Sequence, residues 1–253
     1  MTTTLQYIDH DHGRFARITL NRESKRNALD WTTLESLATH VEQLQTDEHL
    51  RALVLTGAGK RAFTGGADLD VLASLTEQTG REFISLIHRA NSELRALPVP
   101  VVCRINGHCI GAGLEIAVSC DLRVCVDTAL LSMPEVQVGL PSVIEAALLP
   151  RLIGWGRTSQ LLYTGEPIDA ATAASWGLVD TCVSADELDQ TVDGLVASIC
   201  RAAPLAIRAQ KRLMNEWSVL PLEQGISRGI DYLAEACVTG EPAQRIGALR
   251  ANR

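Results

Sequence analysis

Glu115 and Glu135 are the side chains in this sequence whose type and spacing best suit acid–base chemistry. Glu115 follows Gly111 and Gly113 at the predicted start of a helix, and Glu135 comes directly after Pro134. Free N–H groups at a helix start favour negative charge, and a carboxyl group beside them can transfer a proton. The pattern indicates a site that handles developing negative charge together with a proton.

A second glycine-rich turn, Gly65-Gly66-Ala67-Asp68, strengthens this interpretation. It also ends at a predicted helix start, and its glycines allow the backbone to approach a ligand closely. Taken singly, each feature has an ordinary explanation, either a strand-to-helix corner capped by an acid or a solvated surface charge. The residues just before this turn do not form a P-loop, because Gly59-Lys60 is followed by Arg61 rather than by serine or threonine.

The composition is that of a globular protein with an excess of acidic residues. Hydrophobic residues make up 46% and charged residues 21% of the 253 positions, and the net charge is −7. Because Lys and Arg form no run, we expect no nucleic acid as the main partner. A phosphorylated small molecule needs only a local basic patch, which Lys25 and Arg26 can supply if they are not simply solvated.

The cysteine usage indicates free thiols. None of the seven cysteines forms a Cys-x-x-Cys pair, and most lie in apolar runs. The N-terminus has no signal-peptide pattern and no apolar run is long enough to span a membrane, so we expect a cytoplasmic protein without a membrane partner. Cys109 differs because it lies in the glycine-rich turn, and a catalytic thiol there is the less favoured alternative.

Predicted strands and helices alternate up to residue 183, and almost everything after that is helical. We predict an α/β core over 1–183 and a helical region over 184–253, packed together because no flexible linker separates them. The predicted strands cover 5–10, 15–20, 51–56, 99–105, 121–126 and 178–183. Helices are predicted from about 30, after the turn at 111–113, and over 77–97, 142–150, 157–164, 169–176, 186–202, 204–217, 221–238 and 241–250.

Four motifs, in order along nearly the whole chain, carry a resemblance to a known family. They are Leu20-Asn-Arg-Glu-Ser-Lys-Arg-Asn-Ala-Leu29, Ala62-Phe-Thr-Gly-Gly-Ala-Asp-Leu69, Ile105-Asn-Gly-His-Cys-Ile-Gly-Ala-Gly-Leu-Glu115 through Cys120-Asp121, and Pro134-Glu135 with Val138-Gly-Leu-Pro141. Together they resemble the enoyl-CoA hydratase/isomerase (crotonase) superfamily. Because that superfamily hosts many reactions, the resemblance is more specific for the fold than for the chemistry.

The resemblance implies an α/β fold, a crotonase-like repeated β-β-α superhelix with a C-terminal helical trimerisation region, and assembly as a homotrimer or a dimer of trimers. It implies an acyl-CoA thioester substrate, no metal and no separate cofactor, since coenzyme A is part of the substrate. The thioester oxygen would bind the backbone N–H groups of Ala67 and Ala112, an oxyanion hole. The residues implied in substrate or CoA binding are Lys25, Arg26, Ala67, Asp68, Leu69, Asp70, Gly111 and Ser142.

The hydratases of this family carry two glutamates, which match Glu115 and Glu135. By that resemblance Glu115 acts as the base on the water that attacks C3, and Glu135 delivers a proton to C2. Other members typically keep only one of these acids, so the pair favours hydration of a 2-enoyl-CoA to a 3-hydroxyacyl-CoA, a reaction of fatty acid metabolism.

The sequence departs from the hydratase pattern in two places. Ala112 stands where glycine is usual, and Ser142-Val-Ile-Glu-Ala146 replaces a glycine-rich run. The replacement is expected to bring a third carboxyl group, that of Glu145, near the acyl end of the substrate. An isomerase or a C–C bond hydrolase acting on another acyl-CoA therefore stays open, as does a catalytically inactive or RNA-binding family member.

Overall fold

The computed structural model describes residues 1–251 and has an α/β architecture. The strands are β1 (Thr3–His10), β2 (Gly13–Leu20), β3 (Leu50–Gly57), β4 (Ala62–Thr64), β5 (Val101–Ile105), β6 (His108–Ile110), β7 (Leu122–Val126), β8 (Leu130–Ser132), β9 (Ile168–Asp169) and β10 (Thr181–Val183). The helices are α1 (Trp31–Gln45), α2 (Leu69–Ala73), α3 (Glu77–Ala96), α4 (Ala112–Ser119), α5 (Leu149–Thr164), α6 (Ala170–Trp176), α7 (Leu188–Arg201), α8 (Pro204–Trp217), α9 (Leu222–Cys237) and α10 (Glu241–Ala251).

A six-stranded sheet in the order β1-β2-β3-β5-β7-β10 forms the centre of the fold. Strands β1 and β2 pair as an antiparallel hairpin, and the remaining neighbours run parallel. The run Ala52–Leu55 of β3 is completely buried. A parallel sheet is covered on both faces, so its strands read as continuous apolar runs rather than as alternating patterns.

A smaller sheet, in the order β4-β6-β8-β9, positions the glycine-rich turns. Its first three strands are parallel. Parallel strands end at the same edge of a sheet, so the segments that follow β4, β6 and β8 meet there. These segments are Gly65–Asp68, the turn at Gly111 and the Pro134-Glu135 pair, respectively.

Helix α4 begins at this edge and is buried along its whole length. Its sequence, Ala112–Ser119, is apolar on every side except at Glu115 and Ser119, as expected for a helix enclosed by other elements. Helix α4 starts directly after Gly111, whose φ of 54° and ψ of −124° favour glycine. The predicted helix start with a carboxyl in its first turn is therefore confirmed.

The segment after Glu135 differs from its prediction. A helix is predicted over 142–150, but Ile144–Leu148 forms a 3-10 turn and α5 begins only at Leu149. The helix predicted over 157–164 is the second part of α5, which breaks at Gly154. The four strands of the smaller sheet are absent from the prediction, because strands of two or three residues are too short to show a period.

The C-terminal helices α7 to α10 confirm the predicted helical region to within two residues at each end. Helix α9 exposes four apolar side chains along one stripe: Leu222, Ile226, Ile230 and Leu233. Such a stripe is typical of a contact surface, and the oligomeric state stays a prediction. No helix within residues 1–251 has the length and apolar character needed to cross a membrane.

Candidate active site

The two glycine-rich turns touch each other at the edge of the smaller sheet. A Cβ atom at Gly66 would lie 2.6 Å from the carbonyl oxygen of Ile110 and 3.6 Å from the backbone nitrogen of Ala112. Only glycine permits this approach, and its φ of 84° also favours glycine. The close contact brings the backbone of Ala67 beside the start of α4.

The N–H groups of Ala67 and Ala112 are both available to a ligand. Ala67 is held in place by its neighbours: Leu29 donates its N–H to the Gly66 carbonyl, and Asp68 donates its N–H to the Leu29 carbonyl. Among residues 1–251 neither the Ala67 nor the Ala112 N–H has a hydrogen-bond acceptor. Two fixed donors beside a helix N-terminus form a ready site for a negatively charged oxygen.

Glu135 lies directly against the backbone of Gly111. A Cβ atom at Gly111 would be only 2.4 Å from Oε1 of Glu135, so the glycine makes room for this carboxyl group. Ser142 fixes the other carboxyl oxygen, because its hydroxyl donates to Oε2 of Glu135 over 2.8 Å. Glu135 is thus oriented from two sides at the start of α4.

Glu115 lies deeper, with only 5% of its surface exposed. The backbone N–H of Ala146 is shared between the Val143 carbonyl oxygen at 3.0 Å and Oε1 of Glu115 at 3.3 Å. Burial, with the carboxyl groups of Glu135 and Glu145 nearby, raises the pKa of Glu115 to about 8, although the Ala146 N–H works against the rise. A carboxyl group in this range can exchange a proton close to neutral pH.

Both glutamates and both alanines line one cavity of about 430 Å³. The remaining wall is mainly apolar and comes from α2, α3, the turn between them and the segment 138–143. It includes Leu72, Leu75, Ile84, Ile87, Val138, Leu140 and Val143. An open groove of about 530 Å³ continues from the cavity past Gly65 and Ala67 to Lys25 and Arg26. The arrangement suits a long ligand with an apolar end, a polarisable oxygen at the two N–H groups and a charged end in the groove.

Known proteins that are similar in sequence identify the family. The family model for enoyl-CoA hydratase/isomerase matches residues 11–239. The chain is 34% identical to a short-chain-enoyl-CoA hydratase of Clostridium acetobutylicum, covering 80% of this chain and 78% of that protein. It is 31% identical to a crotonyl-CoA hydratase of Syntrophomonas wolfei, covering 95% and 93%.

The chain belongs to the enoyl-CoA hydratase/isomerase family. Its fold agrees with that assignment, since a crystal structure of an enoyl-CoA hydratase from Bacillus anthracis superposes with a TM-score of 0.94 at 30% identity, covering 100% of this chain and 97% of that one. The resemblance carried by the four motifs is confirmed, as is the crotonase-like α/β fold.

Six of the eight residues that the family resemblance implies in substrate or CoA binding line the groove, but their side chains differ in availability. Lys25 is exposed and forms an ion pair with Asp70 across the groove at 3.2 Å. Asp68 is nearly buried: it pairs with Arg22 at 2.9 Å and accepts from the Asp70 N–H at the start of α2. Burial alone would raise the pKa of Asp68, but its hydrogen bonds to Arg22 and to the Asp70 N–H hold the pKa below the usual range.

Arg26 and Leu69 line the groove, whereas Gly111 and Ser142 line the cavity. Arg26 adopts the left-handed conformation with a φ of 54° at the end of a short 3-10 turn. The exposed side chain of Leu69 lies at the junction of groove and cavity. The structure therefore gathers all eight predicted binding residues around Ala67 or Glu135, and their contacts with a substrate stay a prediction.

Glu145 does not face the cavity, contrary to the expectation of a third carboxyl group near the acyl end. Glu145 is 3% exposed. It accepts a hydrogen bond from Nδ2 of Asn91 at 3.0 Å, and its other carboxyl oxygen lies 2.8 Å from Nδ1 of His88. Both partners belong to α3. The direction of a side chain in a 3-10 turn does not follow from sequence spacing, which explains the error.

Cys109 is unsuited to nucleophilic catalysis. Its side chain is completely buried in β6, and burial raises the pKa of the thiol well above its usual range. A buried thiol whose pKa is raised stays largely protonated near neutral pH and is a poor nucleophile. Within residues 1–251 no cluster of His, Cys, Asp or Glu is arranged to hold a metal ion.

Sequence reasoning missed three contributions to the site. Ala146 gives no signal, because only its backbone contacts Glu115. Thr64 accepts the N–H of Gly66, and its methyl group would lie 2.3 Å from a Cβ at position 113, so helix α4 packs closely on β4. Ile84 and Ile87 do fall on the apolar face predicted for α3, but that face alone does not distinguish a cavity wall from a closed core.

Proposed function

We propose that this family member is an enoyl-CoA hydratase that adds water across the 2,3 double bond of a 2-enoyl-CoA to give a 3-hydroxyacyl-CoA. The observation that carries the proposal is the meeting of two carboxyl groups, Glu115 and Glu135, with two N–H groups that have no acceptor within residues 1–251. Hydration needs both kinds of group at once. A proton must be removed from water and another supplied to C2, while negative charge develops on the thioester oxygen.

The N–H groups of Ala67 and Ala112 are proposed to hold that oxygen. As water attacks C3, the π electrons of the double bond are delocalised through C2 onto the carbonyl oxygen, so donors at that oxygen stabilise the transition state more than the ground state. Each such donor contributes on the order of 3–4 kcal/mol in measured oxyanion holes. The positive end of α4 adds to this effect because Ala112 is its first residue.

Glu115 is proposed to be the base and Glu135 the acid. Once ionised, a carboxyl group with a pKa of about 8 is a stronger base than an ordinary glutamate, and the Ala146 N–H stabilises the ionised form. Glu135, oriented by Ser142, is then the group that supplies the proton to C2.

Hydrogen exchange at C2 of the saturated thioester butyryl-CoA separates this assignment from its reverse. This exchange needs only the carboxyl group that faces C2. With Glu135 in that role, Glu135→Gln abolishes exchange with deuterated water and Glu115→Gln leaves it measurable. The opposite result would exchange the two roles while leaving the hydration reaction in place.

The substrate is proposed to lie with its acyl chain in the apolar cavity and its phosphates toward Lys25 and Arg26. The apolar wall formed by Leu72, Leu75 and Ile84 suits an alkyl chain rather than a polar acyl group. The groove is open to solvent, as a large charged nucleotide moiety requires, and its two basic side chains can contact phosphate.

The test is the loss of the conjugated-thioester absorbance of crotonyl-CoA, followed with wild type and with Glu135→Gln. Hydration predicts rapid loss with wild type and a reduction on the order of 10²–10⁴-fold in the variant. A Glu135→Gln variant with full activity would exclude the proposed mechanism. Absence of activity with wild type on crotonyl, longer and branched 2-enoyl thioesters would exclude the proposed reaction.

Two alternatives predict different products. An isomerase moves the double bond without taking up water, and a C–C hydrolase cleaves a ketoacyl-CoA, so mass analysis of the products distinguishes both. An RNA-binding member would shift RNA in a salt-dependent gel assay, which the net charge of −7 argues against.

The assembly is proposed to be a homotrimer or a dimer of trimers in the cytoplasm. The exposed apolar stripe of α9 offers a surface for such a contact. Analytical ultracentrifugation is expected to give three or six times the chain mass, and a monomer at micromolar concentration would exclude this assembly.

A further inference from the structure

The turn that delivers the Ala146 N–H to Glu115 has a strained backbone. Ile144 has a φ of 43°, in the left-handed region that is unfavourable for a β-branched residue. A residue is held in such a conformation only where the surrounding contacts determine it. The Ala146 N–H closes the turn on the Val143 carbonyl at 3.0 Å, and the next side chain along, Glu145, supplies the contacts that join the turn to α3.

Glu145 binds the turn to helix α3. Its two carboxyl oxygens have separate partners, Nδ1 of His88 at 2.8 Å and Nδ2 of Asn91 at 3.0 Å, and Nη1 of Arg95 lies 3.7 Å from Oε1. These three partners are spaced three to four residues apart, on one face of α3. A carboxylate that is 3% exposed, with two hydrogen-bond partners and an arginine in ion-pair range, restrains the backbone to which it belongs.

We propose that Glu145 is a positioning residue that ties this turn to helix α3, so that the backbone N–H of Ala146 meets Oε1 of Glu115. This inference rests on the proposed function, because it assigns to Glu145 the orientation and ionisation of the proposed base. Glu145 itself does not line the cavity, so it acts through Glu115 rather than on the substrate.

Two opposing effects of Glu145 on Glu115 can be separated by substitution. The negative charge of Glu145 favours the protonated form of Glu115, whereas the Ala146 N–H that it positions favours the ionised form, and the hydrogen bond is the stronger of the two. The other carboxyl group acting on Glu115 is that of Glu135. On the side of Glu145 that faces α3, the charged or titratable groups are His88 and Arg95.

Glu145→Ala and Glu145→Gln are therefore expected to shift the titration of Glu115 in opposite directions. Alanine removes the charge and the anchor, so the Ala146 N–H is released and the midpoint moves upward. Glutamine removes the charge but can still accept from Asn91, so the turn stays in place and the midpoint moves downward. With alanine, kcat is expected to fall on the order of 10- to 100-fold, with KM for crotonyl-CoA changed much less; glutamine lowers kcat less than alanine does.

The titration is measured in two ways: from the pH profile of kcat/KM, and in the free protein by carboxyl-carbon NMR of glutamate-labelled samples. The Glu115 signal is identified by its absence in Glu115→Gln. His88→Ala is a further variant that is expected to fold, because its side chain is 55% exposed; it removes one partner and should move the midpoint upward. Ser85→Ala, at an exposed position of α3, is the matched control and should change nothing.

Shifts of opposite sign for Glu145→Ala and Glu145→Gln would support the inference. Shifts of the same sign, or an unchanged midpoint in both Glu145→Ala and His88→Ala, would overturn it. If the wild type fails to hydrate any 2-enoyl-CoA, the proposed function fails while the NMR titration still decides whether Glu145 positions the turn. If the wild type is active and these variants titrate like it, only the positioning role fails.

Discussion

Replacing Glu115 by glutamine is predicted to stabilise the folded protein while removing its activity. Glu115 is 5% exposed and its pKa is raised from 4.5 to about 8, chiefly by burial. The folded state therefore binds the proton more tightly than the unfolded chain does. The resulting stability is fully present below about pH 4.5 and is lost as the pH rises through about 8.

The size of the effect follows from the shift. Each pH unit between the two pKa values lowers the free energy of unfolding of the wild type by about 1.4 kcal/mol. At pH 7 the total loss, relative to the fully protonated state, is about 3 kcal/mol. Glutamine has nearly the same shape, its amide oxygen can still accept from the Ala146 N–H, and it carries no charge. Glu115→Gln should thus be less than about 1 kcal/mol more stable than the wild type at pH 5, and its advantage should grow progressively toward pH 8.

The assay is urea unfolding of both proteins at fixed protein concentration from pH 5 to pH 8, followed by the fluorescence of the four tryptophans. Glu166→Gln, at an exposed position, makes the same charge change in solvent and serves as the control. The stability difference between wild type and Glu115→Gln should widen with pH, and that of the control should stay nearly constant. Parallel curves for wild type and Glu115→Gln would refute the argument that this carboxyl group is desolvated.

Two further substitutions test the geometry around Glu135. Gly111→Ala places a methyl group 2.4 Å from the Glu135 carboxyl and forces alanine into a glycine conformation, so we expect the free energy of unfolding in urea to fall by about 1–3 kcal/mol and kcat to fall with it. The control Gly194→Ala, in open space on α7, should instead stabilise the protein by about 0.5–1 kcal/mol and leave kcat unchanged. Equal behaviour of the two variants would contradict this prediction. Ser142→Ala removes the 2.8 Å hydrogen bond to Glu135, so kcat on crotonyl-CoA should fall on the order of tenfold, with Ser142→Thr retaining more activity than alanine; unchanged kinetics in both would show that Ser142 does not orient the acid.

The part of the site that could be predicted from sequence is the part built from glycine and backbone. Gly66 and Gly111 are required by positive φ and by close contacts, and such positions leave a clear signal in the sequence. Helix α4 and the place of Glu115 in its first turn follow from the same signal. The covered central sheet was also predictable, since its strands are continuous apolar runs.

The direction of side chains in irregular segments could not be predicted. Glu145 was expected near the substrate, yet it points into α3, because Ile144 adopts a left-handed φ that no sequence rule assigns to a β-branched residue. The Ala146 contact with Glu115 depends on that turn and leaves no mark in the residue type. The short strands β4, β6 and β8, which bring the site together, carry too few residues for a period to be recognised.

Product analysis in water labelled with heavy oxygen tests the central claim most directly. Crotonyl-CoA is incubated with the wild type and the product is examined by mass spectrometry, with Glu135→Gln as the comparison. Hydration by Glu115 and Glu135 predicts a 3-hydroxybutyryl-CoA that carries one heavy oxygen at C3, formed by the wild type and not by the variant. Recovery of an acyl-CoA without heavy oxygen, or equal labelling by both proteins, would contradict it.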